Sequence, residues 1–398
     1  MTEPLKITVR TLTPLWTGGV DGTSDRLQVT GIIGSLRWWY EALVRGLGGY
    51  VSDPTAEDPD ARSEFDTAAY AQAQRDKRPD AEALAAGLKT VCPVSYLFGA
   101  TGWARLFQLQ ALDVPTTPLH FRTTVKMNQS WLLSIFGGKS QNISGLKVPY
   151  GAWQCQFVLR GHDADYVCGQ LALALRFAAE YGGLGAKLQH GFGQVALALP
   201  PAMQSVTVAS GLAQLAARLH NGEWRVTGPT TDTPFDLRNF VSLTYDLPAR
   251  ALAAFTADRA YLVGSDQKRS ESNYLPCAFD LRYKGAGNWG MRRWLEDPRS
   301  AKRWRHADAN QLMGVSKKRG EADSEDDRQA GRLCFGMPYR LANGAYRLRV
   351  FGFAPPGLLT PEGLRDLCNE YVQLTLQTRP ADVVLGKELI AQAQGGRP

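Results

Sequence analysis

The sequence contains no apolar run long enough to span a membrane, and it does not begin like a secreted protein. No stretch approaches the ~18 uninterrupted apolar residues of a membrane helix, and Met1–Lys6 lacks the basic-then-apolar pattern of a signal peptide. The six cysteines form no CxxC pair. This spacing argues against a zinc ribbon and favours reduced, partly buried thiols. We therefore expect a cytoplasmic protein with no membrane partner.

Motifs for catalysis and cofactor binding are also scarce. The five histidines are isolated, without HxH or HExxH spacing, and there is no GxSxG nucleophile elbow. A dinucleotide fingerprint starting at Gly183 and Gly185 would need a third glycine where Leu188 stands. Gly138–Ser140 resembles the end of a P-loop, but Leu133 replaces the first glycine of that motif. We expect no metal, no cofactor and no enzymatic activity.

The charge distribution is uneven along the chain. The 398 residues carry a net charge of +7, and this length corresponds to two or three domains. Residues 51–88 hold nine acids against four bases, whereas 89–200 and 265–319 hold the surplus positive charge. Such blocks are more often plain solvated surface, but one in each half of the chain is compatible with a nucleic-acid partner.

The first half of the chain predicts the element order β-α-β-β-α-β, which is the ferredoxin-like or RRM-like plan. Alternating and helical apolar patterns locate these elements, and the acidic stretch 51–88 interrupts them as a partly helical, mobile insertion. The predicted strands are Leu5–Leu12, Arg105–Leu112, Trp153–Leu159 and Phe192–Leu199, and the helices are Ser35–Leu47 and Ala164–Tyr181.

The second half is predicted to repeat this plan. Phe240–Asp246 or Ala278–Tyr283 supplies the first strand, and a helix near Trp289–Leu295 follows. The later elements are a strand pair, Arg332–Phe335 with Tyr346–Phe353, and a helix from Pro361 to about Gln377. The fold class is thus α+β, with two tandem ferredoxin-like domains and loop insertions. The expected limits are 1–205 for the first domain, 206–236 for a linker and 237–398 for the second domain, with a disordered charged loop at 316–330.

Two short sequence echoes support this duplication. Gly34–Trp39 reads GSLRWW and Gly290–Trp294 reads GMRRW. Leu97-Phe-Gly99, followed by a loop and Arg105-Leu106, is echoed by Leu312-Met-Gly314, a loop and Arg332-Leu333. Two echoes in the same order favour an internal repeat.

The glycine-rich segment Gly182–Gly193 is the most distinctive motif. Five glycines in twelve residues can bring backbone N–H groups close to phosphate oxygens, and a lysine and a histidine add donors. The alternative is a flexible connection from helix to strand. The candidate RNA-binding residues here are Gly183, Gly185, Lys187, His190, Gly191 and Gly193. Lys139, in the glycine-containing stretch 137–142, marks either a second backbone-contacting loop or an ordinary hairpin turn.

Arginine beside tryptophan gives two further candidates. Trp38, Trp39 and Tyr40 point ~100° apart on a helix, so they cannot all face one core. Either one of them stacks on unpaired bases beside Arg37, or the helix is buried on two sides. Arg292 and Arg293, near Trp294, form the second candidate RNA contact.

Four segments together resemble the RAMP superfamily of CRISPR proteins, and more narrowly the first RAMP subunit of the type III-B Cmr effector complex. The glycine-rich segment is general to RAMP proteins, whereas the Arg-Trp-Trp helix and the Leu-Phe-Gly segment are typical of that subunit. The segments are Thr13–Gly19, Gly34–Tyr40, Cys92–Gly99 and Gly182–Gly193.

The resemblance implies a non-catalytic subunit that caps a filament of related subunits near the 3′ end of a CRISPR RNA. Its implied partners are the CRISPR RNA, complementary single-stranded target RNA and other RAMP subunits, in antiviral defence. The RNA contacts it implies fall on Arg37, Trp38 and Trp39 and on the glycines, Lys187 and His190. Glycine is not concentrated after the last predicted helix, a departure from the RAMP pattern.

Two other functions stay open at this point. One is a metal-independent endoribonuclease that processes precursor CRISPR RNA, with His190 as general base on a ribose hydroxyl. The other is a small-molecule enzyme on the same fold. The first lacks a second acid or base near His190, and the second lacks a cofactor motif.

Overall fold

The structure is a computed structural model that describes most of the chain. It covers residues 3–19, 24–122, 142–161, 163–228, 233, 235–248, 251, 273–275, 277–284, 290–315 and 329–395. The candidate Lys139 and most of the charged loop 316–330 lie outside these residues. Among the helices that are described, none is both long and apolar enough to cross a bilayer.

The strands form two antiparallel sheets and one ribbon. They are β1 Leu5–Thr11, β2 Phe107–Leu112, β3 Thr116–Arg122, β4 Asn142–Pro149, β5 Ala152–Leu159, β6 Val195–Ala198, β7 Phe240–Leu247, β8 Leu333–Phe335, β9 Tyr339–Arg340, β10 Tyr346–Phe353 and β11 Asp382–Leu385. The first sheet has the order β2-β5-β1-β6. The second has the order β11-β7-β10-β8, with β9 also paired to β10, and β3-β4 is the ribbon.

Helices connect these strands in both halves. They are α1 Val29–Gly46, α2 Thr67–Arg75, α3 Asp80–Leu88, α4 Pro93–Phe98, α5 Ala164–Tyr181, α6 Pro201–Gln204, α7 Val208–Leu219, α8 Met291–Glu296, α9 His306–Met313, α10 Pro361–Leu376 and α11 Gly386–Ala393. Single 3₁₀ turns lie at Pro59–Ala61, Leu188–His190 and Leu237–Asn239.

The two sheets share one strand order. The strands β1, β2, β5 and β6 of the first sheet are numbered 1 to 4 along the chain, and so are β7, β8, β10 and β11 of the second. In this numbering both sheets have the spatial order 2-3-1-4, and all neighbouring strands are antiparallel. Helices α1 and α5 connect the strands of the first sheet, and α8, α9 and α10 those of the second. The predicted α+β class is therefore what the structure shows.

The sequence echoes correspond to matching contacts. The Arg37 Nη1 donates to the carbonyl of Gly99 at 3.5 Å, and the Arg292 Nη1 donates to the carbonyl of Gly314 at 2.9 Å. Both glycines end a helix with positive φ, 93° and 77°. Each arginine thus ties the first helix of its sheet to the turn that precedes the second strand.

The tryptophans of the two echoes also match. Two residues after Arg37, Trp39 packs on Phe177 of α5 with ring centroids 5.3 Å apart. Two residues after Arg292, Trp294 packs on Tyr371 of α10 at 5.5 Å. Sequence echo and structural position therefore coincide in both halves.

Helix α1 begins earlier than predicted and has two buried faces. The N-terminus of the helix is held by Thr17, whose hydroxyl oxygen accepts a hydrogen bond from the N–H of the N-cap residue Gln28 at 2.9 Å. Leu36, Tyr40 and other apolar side chains pack in the core of the first sheet. On another side, Trp39 contacts aromatic rings of the second half. The helix therefore lies between the two halves.

The structure adds detail to the prediction in three segments. Of the two alternatives for the first strand of the second half, Phe240–Leu247 is the strand, and residues 280–284 are helical. The expected linker 206–236 contains α7, which packs on α5 through buried leucines. The insertion 51–88 is partly helical as predicted, and Phe65 and Leu88 anchor it in the core. The domain limits stay a prediction.

Candidate nucleic-acid interface

Several backbone amides of the glycine-rich segment are hydrogen-bonded within the protein. The Leu184 N–H donates to the Gly193 carbonyl at 2.8 Å, and the Gly193 N–H donates to the Pro14 carbonyl at 2.8 Å. The Gly185 N–H donates to Ser35 Oγ at 3.0 Å, and the Ala186 N–H to the Trp16 carbonyl at 2.6 Å. These amides face protein acceptors and do not face outward toward phosphate.

Close packing explains the glycines at 185 and 193. Both have positive φ, 83° and 82°, a region that side chains disfavour. A Cβ at Gly185 would lie 2.4 Å from the Trp16 carbonyl oxygen, and one at Gly193 would lie 2.0 Å from that of Leu184. Gly183 lies beside Gly193, and Gly191 abuts Met337 of the second half. For this segment, the structure accounts for the glycines without a ligand.

Lys187 lies at the outer turn of the segment. Its backbone is left-handed, with φ of 59°. The ammonium nitrogen lies 3.2 Å from the centroid of the Trp16 ring, an attractive arrangement for a cation. Burial lowers the pKa of this amine to about 7. The positive charge at this turn is therefore pH-dependent near neutrality.

His190 is buried beneath the segment. Its ring stacks on Phe279 with centroids 4.7 Å apart and an interplanar angle of 8°. Burial, reinforced by the nearby charges of Arg282 and Lys187, lowers its pKa well below the ordinary value. The imidazole is therefore neutral and covered by the second half, which removes it from contact with an RNA hydroxyl in this structure.

The three candidates on α1 have different environments. Trp39 is fully buried and its indole N–H donates to the Gly183 carbonyl at 2.8 Å, so it has no ring face left for a base. Arg37 is paired with Glu41 at 3.0 Å on a partly exposed surface. Trp38 is half-buried, and its ring meets Trp39 and Phe235 edge-on. Of the two tryptophans, Trp38 is the one that a base can reach.

The second arginine pair is separate from this region. Arg292 is tied to the Gly314 carbonyl and lies 3.5 Å from Glu296, whereas Arg293 is exposed on α8. Trp294, which neighbours them in sequence, is buried against α10. The tryptophan interleaved with these arginines therefore belongs to the core.

A cavity of about 410 Å³ brings several candidates together. One wall is α1, with Trp38, another is the turn that holds Lys187, and a third comes from β8 and β10 of the second half. The described lining residues are Thr17, Gly31, Gly34, Ser35, Trp38, Gly185, Ala186, Lys187, Leu188, Gln189, Phe235, Ala330, Gly331, Arg332, Cys334, Phe351, Gly352 and Phe353. We call it the inter-half cavity.

The sequence analysis did not predict most of the residues that form the third wall of the inter-half cavity. Arg332, Cys334 and Phe353 are more than a hundred residues from Lys187 along the chain, and no motif links them to it. Gly34 belongs to the same segment as the Arg-Trp-Trp motif, whereas Phe235 is far from that segment in sequence and reaches it only through the fold. The candidates Gly183, His190, Gly191 and Gly193 lie behind the cavity rather than in it.

A second cleft, of about 540 Å³, lies on the other side of the junction between the halves. Its arginines are engaged with protein groups. Arg347 pairs with Asp246 at 2.7 Å, and Arg176 pairs with Glu180 at 3.3 Å. Buried Arg349 donates to the carbonyls of Ala179 and Gly182 at the end of α5. A guanidinium at a helix C-terminus stabilises it, so this cleft belongs to the scaffold.

Within the described ranges, no cluster of three histidine, cysteine, aspartate or glutamate side chains could hold a metal ion. All six cysteines are free thiols, and five of them are buried. The inter-half cavity offers an aromatic wall and two cationic side chains, Lys187 and Arg332.

Fold and site together define a class of α+β protein with two sheets of identical strand order and a cavity at the junction of the two halves. The family model described as the RAMP superfamily matches residues 8–196. The predicted resemblance to the RAMP superfamily is confirmed over that segment.

Solved structures with which the chain aligns include CRISPR proteins. Apo Cmr1 from Pyrococcus furiosus aligns at 12% identity over 98% of this chain and 96% of its own, with a TM-score of 0.40. A chain of the type III-B Cmr-beta complex bound to cognate target RNA and AMPPnP aligns at 10% identity over 94% and 99%, with a TM-score of 0.45. A chain of a type IV-B CRISPR complex aligns at 14% over 52% and 92%, with a TM-score of 0.31. No curated protein sequence matches significantly.

Proposed function

We propose that the chain is a non-catalytic, RNA-binding subunit of a type III-B CRISPR effector complex. The observation that carries this proposal is the RAMP-superfamily match over residues 8–196. In this role it caps the subunit filament near the 3′ end of the CRISPR RNA and helps to engage complementary target RNA. Its partners are these two RNAs and other RAMP subunits, in the cytoplasm.

The architecture in this proposal is two tandem ferredoxin-like domains. The common 2-3-1-4 strand order of the two sheets supports it, as do the matching contacts of Arg37 and Arg292. The net charge of +7 favours association with a polyanion. We place the RNA along α1 and the turn of Lys187, on the face that opens into the inter-half cavity.

A salt titration tests the RNA-binding role and the absence of catalysis in one experiment. The full-length protein is mixed with labelled single-stranded RNA in EDTA, anisotropy is recorded from low to high salt, and the RNA is then run on a gel. Salt-sensitive binding of intact RNA is expected. Cleaved RNA would show a nuclease and contradict the non-catalytic role.

The variant Lys187→Ala tests the site. At pH 6, where Lys187 is charged, loss of one phosphate contact should lower the slope of log affinity against log salt by about one. Lys89→Ala, an exposed lysine at the end of α3, is the matched control and should keep the wild-type slope. An unchanged slope in folded Lys187→Ala would remove this residue from the interface.

A further inference from the structure

We propose that the inter-half cavity receives one unpaired nucleobase of the bound RNA, and that Gly34 keeps this pocket open. The inference rests on the proposed function, because it assumes that single-stranded RNA crosses this face. It adds what the phosphate contacts leave unspecified, namely a site for the base itself. Three features of the cavity support it.

The first feature is a fixed aromatic wall. The volume of about 410 Å³ lies in the range of small-ligand pockets, ~300–1,000 Å³. Trp38 is held by Trp39, Phe235 and Phe353, whose ring centroids are 4.6, 5.2 and 5.7 Å from its own. All three pairs are T-shaped, and this packing fixes the orientation of the Trp38 ring. Aromatic faces accept any base by stacking.

The second feature is the charge of the lining. Arg332 is cationic, Lys187 is cationic below its pKa of about 7, and none of the described lining residues carries a carboxylate. A nucleotide brings an apolar base face together with an anionic phosphate. The combination of aromatic wall and cationic rim matches that chemistry better than it matches an apolar peptide or a cationic ligand.

The third feature is Gly34, in the middle of α1. Glycine inside a helix is less favourable than alanine, and no neighbour requires it here: a Cβ at Gly34 would have no atom within 4 Å. Gly31, one turn earlier, differs because its Cβ would lie 2.7 Å from the Thr17 carbonyl oxygen. Gly34 therefore forms a bare, exposed stretch of helix at the edge of the cavity.

The test compares two RNA probes and matched variants of the full-length protein. The probes are a twelve-nucleotide uridine RNA and the same ribose-phosphate chain without bases. Gly34→Leu places a leucine side chain in the cavity. Ala186 is an exposed lining residue on another wall, and Ala186→Leu is the second variant that fills the cavity. Gly363→Leu on α10 is the control, because its Cβ would meet only ordinary contacts at 3.4 Å or more.

The readout is the ratio of the two dissociation constants, with circular dichroism to establish folding. Wild type and Gly363→Leu should favour the base-containing RNA by about tenfold, the order expected from one stacked base. In Gly34→Leu and Ala186→Leu the ratio should fall toward one.

Three other results would overturn the base pocket. A retained tenfold preference in both folded leucine variants would overturn the base pocket and leave the proposed function standing. Equal wild-type affinity for the two probes would do the same. Wild type that binds neither probe at low salt would overturn the pocket and the RNA-binding function together.

Discussion

Gly34 and Gly193 are the same residue type under opposite constraints. The backbone of Gly193 has φ of 82°, and a Cβ there would collide with the Leu184 carbonyl oxygen. Gly34 lies in an ordinary helical turn with open space around it. The sequence shows both as glycines in glycine-containing motifs. The backbone conformation and the surrounding space distinguish them: packing requires glycine at position 193 but not at position 34.

Alanine substitution should therefore have opposite effects at these two positions. Gly34→Ala should raise the free energy of unfolding by ~0.5–1 kcal/mol, because it restricts the unfolded chain and favours the helix. Gly193→Ala should lower it by at least ~1 kcal/mol, because it adds strain and a clash. Urea unfolding of the two variants and the wild type measures both. Equal effects of the same sign would contradict this reading.

Lys187 couples stability to pH. Its pKa is about 7 in the folded protein against 10.5 ordinarily, because burial disfavours the charged amine. Between these values the unfolded chain binds more protons than the folded one, so this residue's contribution to stability rises with pH. That contribution is lost as the pH falls through 7.

Lys187→Met should remove this dependence. The variant should be more stable than wild type at pH 7, and the difference should shrink as the pH rises to 10. Urea midpoints at pH 7, 8, 9 and 10 measure it, with Lys89→Met as the control for loss of an exposed lysine. A difference that stays constant across this range would show that burial does not disfavour the charged amine.

At the scale of elements, periodicity predicted the helices and strands well where one face is buried. The helix Ala164–Tyr181 has the predicted bounds, and Pro361–Leu376 ends one residue before the predicted Gln377. The pattern left a choice between Phe240–Asp246 and Ala278–Tyr283 as the first strand of the second half, and in the structure residues 280–284 are helical. Only the tertiary pairing of β7 with β10 and β11 decides which segment becomes the strand.

The candidate site was predictable only in part. Trp38 and Lys187 stand in motifs that the sequence makes visible, and both line the cavity. The burial of Trp39 and His190 was not visible, because the rings that cover them come from the second half. A sequence indicates which residue types can bind RNA, whereas exposure depends on contacts between distant segments.

At the scale of the whole molecule, α1 packs against both halves and joins their apolar cores. Trp39 packs on Phe177 in the first half and on Phe240 and Phe351 in the second, with centroids 5.3 to 5.9 Å apart. The Gln194 side chain also donates to the Met337 carbonyl at 2.8 Å across the junction. Neither half can lose its structure without exposing the other's apolar surface.

Trp39→Ala should therefore destabilise both halves together. We expect a loss of ~3–5 kcal/mol, the usual range for removing a buried large aromatic ring, in one unfolding transition. Urea titration followed in parallel by far-UV circular dichroism and by tryptophan fluorescence measures this. Trp304→Ala, at a partly exposed position, should cost less. Two separate transitions in the wild type would refute the shared-helix account.

The shared helix also constrains the order in which the protein can fold on the ribosome. Trp39 leaves the exit tunnel early, but Phe351 and Phe353, which complete its environment, are synthesised about 300 residues later. At ~5–20 residues per second the nascent chain carries an uncovered aromatic surface for ~15–60 s. A transcript truncated before β10 would yield a product that cannot bury this helix, and such a product would be a substrate for chaperones and proteases.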